Sequence, residues 1–361
     1  MPLVADSGTT ALRIARLHAY FKQHVLRNGQ FVCSTQQECI ESHPGKFYKG
    51  QLPHVGAHYD LMSDGVPLRI VVVGQEYGHG PDYVDLAKRR TTIVKESGKS
   101  RRFRAAPPHF EARNPHMKGC TNVLRLLFGK HLGSEHKEEF LDLDDAQVHL
   151  FDCFALVNFL LCSAVPADSG REESLLHGGK PGRSTRTMQR NCARHFKATL
   201  ELLEPTIIVL QGRGVLEWMK PTFDTLSDDV VQTLQINARA THVLAFTHPS
   251  AHGDLNWGRN ERTRYLLDVV KPAVRHVLAD DNWHTGNRGT LKNMQSVIVR
   301  DPAIMSGAPT FRGTRVLVRT LFEYLEAGHS LERFLEGFPT VSREMATHAL
   351  EEAKLSLLAS H

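Results

Sequence analysis

The sequence predicts an α/β fold, with a central parallel sheet flanked by helices and a small all-α domain at the C-terminal end. Short apolar segments alternate with longer segments of helical periodicity, a pattern typical of a parallel sheet covered by helices on both faces. Hydrophobic residues make up 41% of the 361 residues. This length and composition fit one large domain and a second, smaller one.

The first half of the chain contains the first strands of the predicted sheet. Residues 68–73 form a short apolar run rich in β-branched side chains, which predicts a buried strand. A helix is predicted to start within residues 121–128. Two strand segments follow, residues 148–151 and 156–161, with a break near Cys153.

The second half continues the same alternation. A helix is predicted for residues 191–203, with its apolar side chains on one face, and Pro205 ends it. Residues 206–210 and 242–246 are predicted strands. Residues 262–278 are a predicted helix, the last element of this alternation.

A polar segment divides the chain into two predicted domains. Residues 281–293 are predicted to be a linker between a domain at 1–280 and a domain at 294–361. In the second domain, helices are predicted at residues 317–327, 331–336 and 342–358. Short turns that contain glycine separate them, which favours a helix-turn-helix-like layout.

The charge is moderately basic and unevenly distributed. The formal net charge is +5, and residues 88–104 hold eight Lys or Arg against one Glu. Such a segment is either a solvated loop or a loop that contacts phosphates. No apolar run approaches the ~20 residues of a membrane helix, and the N-terminal residues lack a secretion pattern. We therefore expect a cytoplasmic protein without a membrane partner.

Polar side chains follow three of the predicted strands. Gln75, Glu76 and His79 come after the strand at 68–73, Asn158 lies in the next strand, and His248 follows the last one. Ligands of parallel α/β sheets bind beyond the carboxyl ends of the strands, so these side chains predict a site. Each also has an ordinary structural interpretation, as a helix cap, a turn residue or a hydrogen-bonded core histidine.

Five segments in this order resemble the uracil-DNA glycosylase superfamily over residues 30–278. They are GQEYGHG (74–80), LVNFLLC (156–162), NCARHFKATLELLEP (191–205), TIIVLQGRGV (206–215) and THPSA (247–251). The first is similar to the GQDPYHG motif of one branch, and the middle three resemble the branch that carries an iron–sulfur cluster.

The resemblance implies a monofunctional DNA glycosylase. Such an enzyme flips a pyrimidine out of the duplex and hydrolyses its N-glycosidic bond, leaving an abasic site. His248 would donate a hydrogen bond to the base carbonyl, and Glu76 would position the water, as the catalytic residues. The implied base-binding residues are Gln75, Gly78, His116 and Asn158, with His116 in the place of a stacking Phe.

The resemblance leaves the substrate and the function class open. Gly78 replaces an aromatic residue that walls off the carbon-5 side of the base, so the substrate is either uracil or a 5-modified pyrimidine. A modified phage cytosine would make the protein an antiviral defence enzyme rather than a DNA repair enzyme. The alternative is a non-catalytic DNA-binding or regulatory module, although Glu76 favours the enzyme. The expected DNA contacts are Arg101, Arg102, Ser250, Trp257 and Arg259.

Cysteines provide the expected cofactor site. In a cytosolic chain they are thiols or metal ligands rather than disulfides. The resemblance implies that Cys33, Cys39, Cys162 and Cys192 hold a [4Fe–4S] cluster with a structural role. The first pair is more widely spaced than in relatives, and scattered buried cysteines are the alternative.

The C-terminal segment has a separate resemblance. Residues 301–316, DPAIMSGAPTFRGTRV, resemble the DUF433-type, antitoxin-like domain of unknown function, which would extend over about 294–358. We expect this domain to bind DNA, a protein partner or a second copy of itself.

Overall fold

The structure is a computed structural model. It describes residues 3–28, 30–43, 45–63, 65–76, 85–95, 109–143, 146–166, 184–279, 298–300, 304–343, 345–347, 349–350 and 353. The chain divides into two compact units, Met1–Arg288 and Gly289–His361. This division falls within the predicted linker, residues 281–293, which lies outside the described residues.

The helices and strands have the following bounds. The helices are α1 (Ser7–His24), α2 (Gln36–Glu41), α3 (Leu86–Arg90), α4 (Pro115–Leu127), α5 (Arg186–Leu203), α6 (Arg213–Met219), α7 (Lys271–Leu278), α8 (Val318–Glu326) and α9 (Leu331–Gly337). The strands are β1 (Leu3–Ala5), β2 (Leu26–Arg27), β3 (Gln30–Phe31), β4 (Gly45–Tyr48), β5 (His54–Val55), β6 (Leu61–Ser63), β7 (Val66–Leu68), β8 (Ile70–Gly74), β9 (Phe140–Leu143), β10 (Ala146–His149), β11 (Ala155–Asn158), β12 (Ser163–Pro166), β13 (Ile207–Gln211), β14 (Val231–Ile236), β15 (Arg239–Phe246), β16 (Ile298–Val299) and β17 (Thr310–Phe311).

A mixed sheet forms the centre of the first unit. Strands β15, β13, β8 and β11 lie side by side in that order and run parallel. Antiparallel strands β14 and β5 pair with the two outer members. The predicted α/β class with parallel strands is therefore confirmed, whereas the two antiparallel edge strands did not appear among the sequence-based predictions.

The alternation of side chains along the strands builds one apolar layer on each face of the sheet. Val71 and Val73 pack with α1 and α5, through residues such as Phe21 and Leu200. Val72 points the other way and packs with α4 and α7. Because each strand is apolar on both faces, the sequence shows continuous runs rather than alternation.

Two helices begin earlier than the periodicity predicted, because their caps lie in polar sequence. Helix α4 starts at Pro115, where the Asn114 side chain accepts a hydrogen bond from the Met117 N–H at 2.9 Å. Helix α5 starts at Arg186 after Thr185, which caps it in the same way. The predicted helix at 262–278 consists of a π-helical turn, Leu266–Val270, followed by α7.

The sequence predicted an all-α C-terminal unit, but the structure also contains two short strands there. Strands β16 and β17 pair as an antiparallel two-stranded sheet, and α8 and α9 contribute to a small core of their own around Phe311, Leu321 and Phe334. The described residues between 343 and 353 are helical, and the rest of the predicted third helix lies outside the described residues. Nowhere in the described part of the chain is a helix long and apolar enough to cross a bilayer.

A buried ion network fixes α4 to the β9–β10 hairpin. Arg113 Nη2 lies 2.6 Å from Glu139 Oε2, and Arg125 Nη2 lies 2.7 Å from Glu139 Oε1, with all three side chains at 0% exposure. Burial alone would raise the pKa of Glu139, but hydrogen bonds from His149 and Arg113 lower it to about 2. The carboxylate therefore stays ionised and compensates two buried guanidinium groups.

We expect Glu139→Gln to destabilise the first unit by about 3–5 kcal/mol, because it leaves two buried cations without a counter-charge. Urea unfolding at neutral pH measures this change. The control is Glu217→Gln, which removes an exposed ion pair with Lys220 and should change the free energy of unfolding by less than about 1 kcal/mol. Equal effects of the two substitutions would contradict a dominant role for the buried network.

Candidate functional site

The candidate site lies beyond the carboxyl ends of the four parallel strands. The chain passes from β8 to β11 on one side and then crosses to β13 on the other, so the order reverses between β8 and β13. Crevices at such reversal points are the usual ligand sites of open α/β sheets. Gln75 and Glu76 follow β8, Asn158 ends β11, Gln211 ends β13, and His248 follows β15.

Asn158 and His116 meet above the end of β8. A Cβ atom placed on Gly74 would lie 3.0 Å from both Asn158 Oδ1 and His116 Cε1. A side chain at this position would crowd both Asn158 and His116. Asn158 is 8% exposed, and within the described part of the chain its amide takes part in no hydrogen bond. It is therefore available to a ligand.

His248 presents a neutral ring with a fixed proton. Its Nδ1 accepts a hydrogen bond from the Ser250 N–H at 3.2 Å, and the Ser250 hydroxyl lies 2.7 Å away. Since Nδ1 is an acceptor, the ring proton lies on Nε2. Burial lowers the pKa of His248, which keeps the ring neutral. His248 can thus donate a hydrogen bond through Nε2.

His248 lies close enough to His116 to lower its pKa. The pKa of His116 is lowered to about 3, by burial first and then by the charges of His248 and Arg89. Both rings are therefore neutral at physiological pH. The site presents hydrogen-bonding groups and no histidine charge.

Two glycines allow α4 to approach the loop that carries His248. A Cβ atom on Gly119 would lie 2.8 Å from Pro249 Cγ and 3.1 Å from Gln211 Nε2. A Cβ atom on Gly258 would clash with the Pro115 carbonyl and with Pro249. Any larger residue at either position would push α4, and His116 with it, away from the strand ends.

Glu76 is a carboxylate with an unusual proton affinity. Its Oε2 accepts a hydrogen bond from the Ala164 N–H at 3.2 Å. Burial raises the pKa of Glu76 to about 7, although the Ala164 hydrogen bond opposes part of this shift. Such shifts are frequent in catalytic acids and bases. Gln75, the preceding residue, packs its amide against Gly214 of α6.

The expected DNA-contacting residues differ in whether their side chains are exposed to solvent. Arg259 and Ser250 are exposed. Trp257 is fully buried, packs against Phe246 and donates its Nε1–H to the Thr247 carbonyl at 2.7 Å. Its side chain therefore holds the loop in place, which corrects the expected DNA contact at that residue. Gly78, Arg101 and Arg102 lie outside the described residues.

Sequence reasoning missed two residues at this edge. Leu255 is 52% exposed on the loop after His248, and a large apolar side chain in that position has no core to fill. Gln211 is a buried polar residue at the end of an otherwise apolar strand. The signal in both cases is a side chain of the wrong polarity for its position.

The four predicted cluster ligands lie on one side of the sheet. Cys39, Cys162 and Cys192 are buried in the apolar layer that includes α1 and α5, and Cys33 packs against that layer. The remaining two cysteines, Cys120 and Cys153, belong to the opposite layer. The fold therefore separates the predicted ligands from the other thiols.

The surroundings of these four thiols fit ligands of a cluster. Burial raises the pKa of Cys192 to about 12 and raises that of Cys162 well above its ordinary value, and the neighbouring cysteines add to both shifts. Without a metal, the thiols of Cys162 and Cys192 stay protonated. N–H groups of Gly50 and Leu161 point at the sulfurs of Cys162 and Cys192. Such hydrogen bonds stabilise thiolates that bind iron.

A second group of possible ligands is occupied by protein contacts. His136, Glu139 and His149 have ligand atoms within 4.8 Å of one another. However, His149 donates its Nε2–H to Glu139, since its Nδ1 accepts from the Phe151 N–H. Both Glu139 oxygens also bind buried guanidinium groups. Glu139 and His149 therefore have no lone pair left for a cation.

The raised pKa of Glu76 predicts a stability change with pH. Its folded pKa of about 7 lies above the unfolded value of about 4.3. Above neutral pH the folded state must therefore hold a buried carboxylate, and stability falls as pH rises through this window. We expect Glu76→Gln to stabilise the protein by about 1–3 kcal/mol at pH about 8, because one pKa unit corresponds to about 1.4 kcal/mol.

Urea unfolding at several pH values measures this effect. The gain from Glu76→Gln should be partly lost at pH about 5 and nearly absent at pH about 4, below the unfolded pKa, where Glu76 is largely protonated in both the folded and the unfolded state. Glu111→Gln, at an exposed carboxylate, is the control and should show no such difference. A destabilised Glu76→Gln variant at the higher pH would show that the carboxylate is not strained.

Part of the C-terminal unit matches a known protein family. Residues 298–353 match the family described as Protein of unknown function (DUF433). A segment of 50 residues is 40% identical to "Uncharacterized protein y4eO" of Sinorhizobium fredii; it makes up 14% of this chain and 23% of that protein. The chain thus matches about a quarter of the length of this curated relative. The family match lies in the C-terminal unit, and neither similarity assigns an activity.

Proposed function

We propose that the first unit is a monofunctional DNA glycosylase that flips out a pyrimidine and hydrolyses its N-glycosidic bond. The observation that carries this proposal is the combination of groups at the strand ends. A neutral histidine donor, an uncommitted amide and a carboxylate with a pKa near 7 lie at the same edge of one sheet. The resemblance to the uracil-DNA glycosylase superfamily assigns these same residues.

Asn158 recognises the flipped base in this proposal. Its buried amide carries both a donor and an acceptor and can pair with the hydrogen-bonding edge of a pyrimidine. The position of His116 beside Asn158 brings it against the base. Gly74 lets these two side chains approach each other, since a Cβ atom there would lie 3.0 Å from an atom of each.

His248 stabilises the departing base. Cleavage of the N-glycosidic bond leaves the electron pair on the base, so negative charge develops at its carbonyl oxygen. A pre-oriented Nε2–H that donates to this oxygen lowers the barrier, and more strongly in a site that excludes water. A neutral donor also avoids the cost of burying an imidazolium before the base arrives.

Glu76 positions and activates the attacking water. One of its oxygens is held by the Ala164 N–H, which leaves the other for the water. A base with a pKa near 7 is ionised in about half of the molecules at neutral pH and still accepts a proton effectively. The carboxylate also stabilises the positive charge that develops on the sugar. This function favours the enzyme over a non-catalytic DNA-binding module.

The exposed loop after His248 provides the contact with DNA. Leu255 is exposed beside the pocket and is suited to fill the space that a flipped base leaves in the stack. Exposed Arg259 on the same segment supplies charge for the phosphates. Ser250 acts mainly through its hydrogen bonds to His248.

The proposed cofactor is a [4Fe–4S] cluster held by Cys33, Cys39, Cys162 and Cys192. Such a cluster supplies covalent cross-links between distant segments of the chain rather than redox chemistry. Cys39 lies in α2, Cys192 in α5 and Cys162 between β11 and β12. The cysteines would thus connect the helical layer to the segment that follows Asn158.

The substrate is uracil or a 5-modified pyrimidine. This choice rests on the glycine at position 78 and on the resemblance. A modified phage cytosine would make the enzyme an antiviral defence protein. The C-terminal unit would then direct it to DNA, to a protein partner or to a second copy of itself.

His248→Ala should reduce base release by about 10²–10³-fold with little loss of DNA affinity, as expected for the loss of one transition-state donor. Base release is measured by alkaline cleavage at abasic sites. The substrates are oligonucleotides with uracil, thymine, 5-hydroxymethyluracil, 5-hydroxymethylcytosine or glucosylated cytosine.

Exposed His276 in α7 offers a matched substitution, and His276→Ala should release base at the wild-type rate. If wild type cleaves none of these bases, the enzyme proposal fails and the DNA-binding alternative takes its place. If His248→Ala retains full activity, the function assigned to this residue is wrong.

Cys162→Ser should abolish iron binding, because a cluster held by three thiolates is much less stable. Iron content and absorption of visible light are measured on protein purified without oxygen. Cys153→Ser changes a buried thiol in the opposite layer and should leave both measurements unchanged. A wild-type protein without iron would remove the cofactor from the proposal.

A further inference from the structure

Gln211 is a buried polar residue at the pocket that the proposed reaction does not use. It is the last residue of β13, and its side chain is 0% exposed. Its Nε2 donates to the His116 carbonyl oxygen at 3.2 Å and lies 3.3 Å from Cys120 Sγ. Because a carbonyl oxygen only accepts hydrogen bonds, this contact fixes which end of the amide is the NH₂ group.

The opposite end of this amide needs a partner. Gln211 Oε1 is buried and has no hydrogen-bond partner at normal distance among the described residues. Buried acceptors are rarely left in this state. The His116 ring is the nearby group that can satisfy it, because Gln211 already binds the main-chain carbonyl of the same residue. The Gln211 side chain also raises the pKa of His116, against the larger lowering effect of burial.

The orientation of the His116 ring decides which nitrogen faces Gln211. From a Cβ atom placed on Gly74, Cε1 of the ring would lie 3.0 Å away and Nε2 3.6 Å away. This edge of the ring therefore faces Asn158 and the pocket. Nδ1 is the ring nitrogen nearer to the main chain of His116, whose carbonyl Gln211 already binds.

We infer that Gln211 is a positioning residue whose Oε1 accepts a hydrogen bond from Nδ1–H of His116, which leaves Nε2 of His116 as an acceptor facing the base. The pocket then contains two neutral histidines of opposite polarity, His116 as acceptor and His248 as donor. The preferred base presents a hydrogen-bond donor to His116, such as an amino or hydroxyl group. This substrate preference rests on the proposed function, whereas the position of the proton on the His116 ring does not.

The first test measures the ring proton directly. Nitrogen-15 NMR of the full-length protein distinguishes Nδ1–H from Nε2–H in a neutral histidine, and His116→Phe identifies the signal of His116. The inference expects His116 protonated at Nδ1 and His248 protonated at Nε2. A wild-type His116 ring protonated at Nε2 overturns it without any variant.

The second test changes the partner. Gln211→Met keeps the length and apolar stem of the side chain but removes the acceptor, and should shift the His116 proton towards Nε2 while His248 stays unchanged. Gln211→Glu restores an acceptor and should restore Nδ1–H. An unchanged His116 signal in Gln211→Met overturns the inference.

Substrate preference provides the final comparison. If wild type prefers a base with an amino or hydroxymethyl donor over uracil, this preference should fall about tenfold in Gln211→Met. A preference that survives unchanged overturns the link between Gln211 and specificity. Since NMR needs no activity, a wild type that is inactive on every base overturns the proposed function, while an Nδ1–H signal still supports the function of Gln211.

Discussion

The position of α4 depends on one buried carboxylate. Glu139 lies between the guanidinium groups of Arg113 and Arg125, one just before α4 and the other within it. Three charges in an apolar layer are tolerated only where their geometry is fixed, so this network anchors α4 to the β9–β10 hairpin. His116 lies three residues after Arg113, and its place beside the strand ends follows from this anchor.

Two glycines at the edge of the sheet, Gly119 and Gly258, also determine the position of α4. The network holds one side of α4, and Gly119 and Gly258 let the other side approach the loop that carries His248. Buried charge and absent side chains thus act together on the same helix. The two histidines and the amides of the resulting pocket are neutral, which suits an uncharged base better than a phosphate. In the proposed function, the positive charge for the DNA backbone comes from exposed residues outside the pocket, such as Arg259.

Much of the arrangement could be predicted because the strands and their polar ends are local patterns. An apolar run of five or six residues followed by Gln, Glu, Asn or His is visible without a structure. The starts of α4 and α5 were missed because caps such as Asn114 and Thr185 lie in polar sequence that has no helical periodicity. The edge strands and the β16–β17 pair depend on pairing with distant residues, which a local pattern does not encode. Trp257 was misjudged because the same residue type serves in cores and at interfaces.

The hydrogen bond from the Ser250 main chain to His248 has a consequence for how this loop tolerates sequence change. The donor that sets the ring proton belongs to the backbone, and every amino acid except proline possesses it. Variation at residue 250 can therefore accumulate without loss of the donor function of the histidine, provided that the loop keeps its path. The Ser250 hydroxyl makes a second contact with His248, which is lost when a residue without a hydroxyl group replaces the serine. Proline is the one amino acid that cannot supply this hydrogen bond from the main chain, because it has no backbone N–H. The conformation of the loop therefore matters more for the state of His248 than the side chain at position 250.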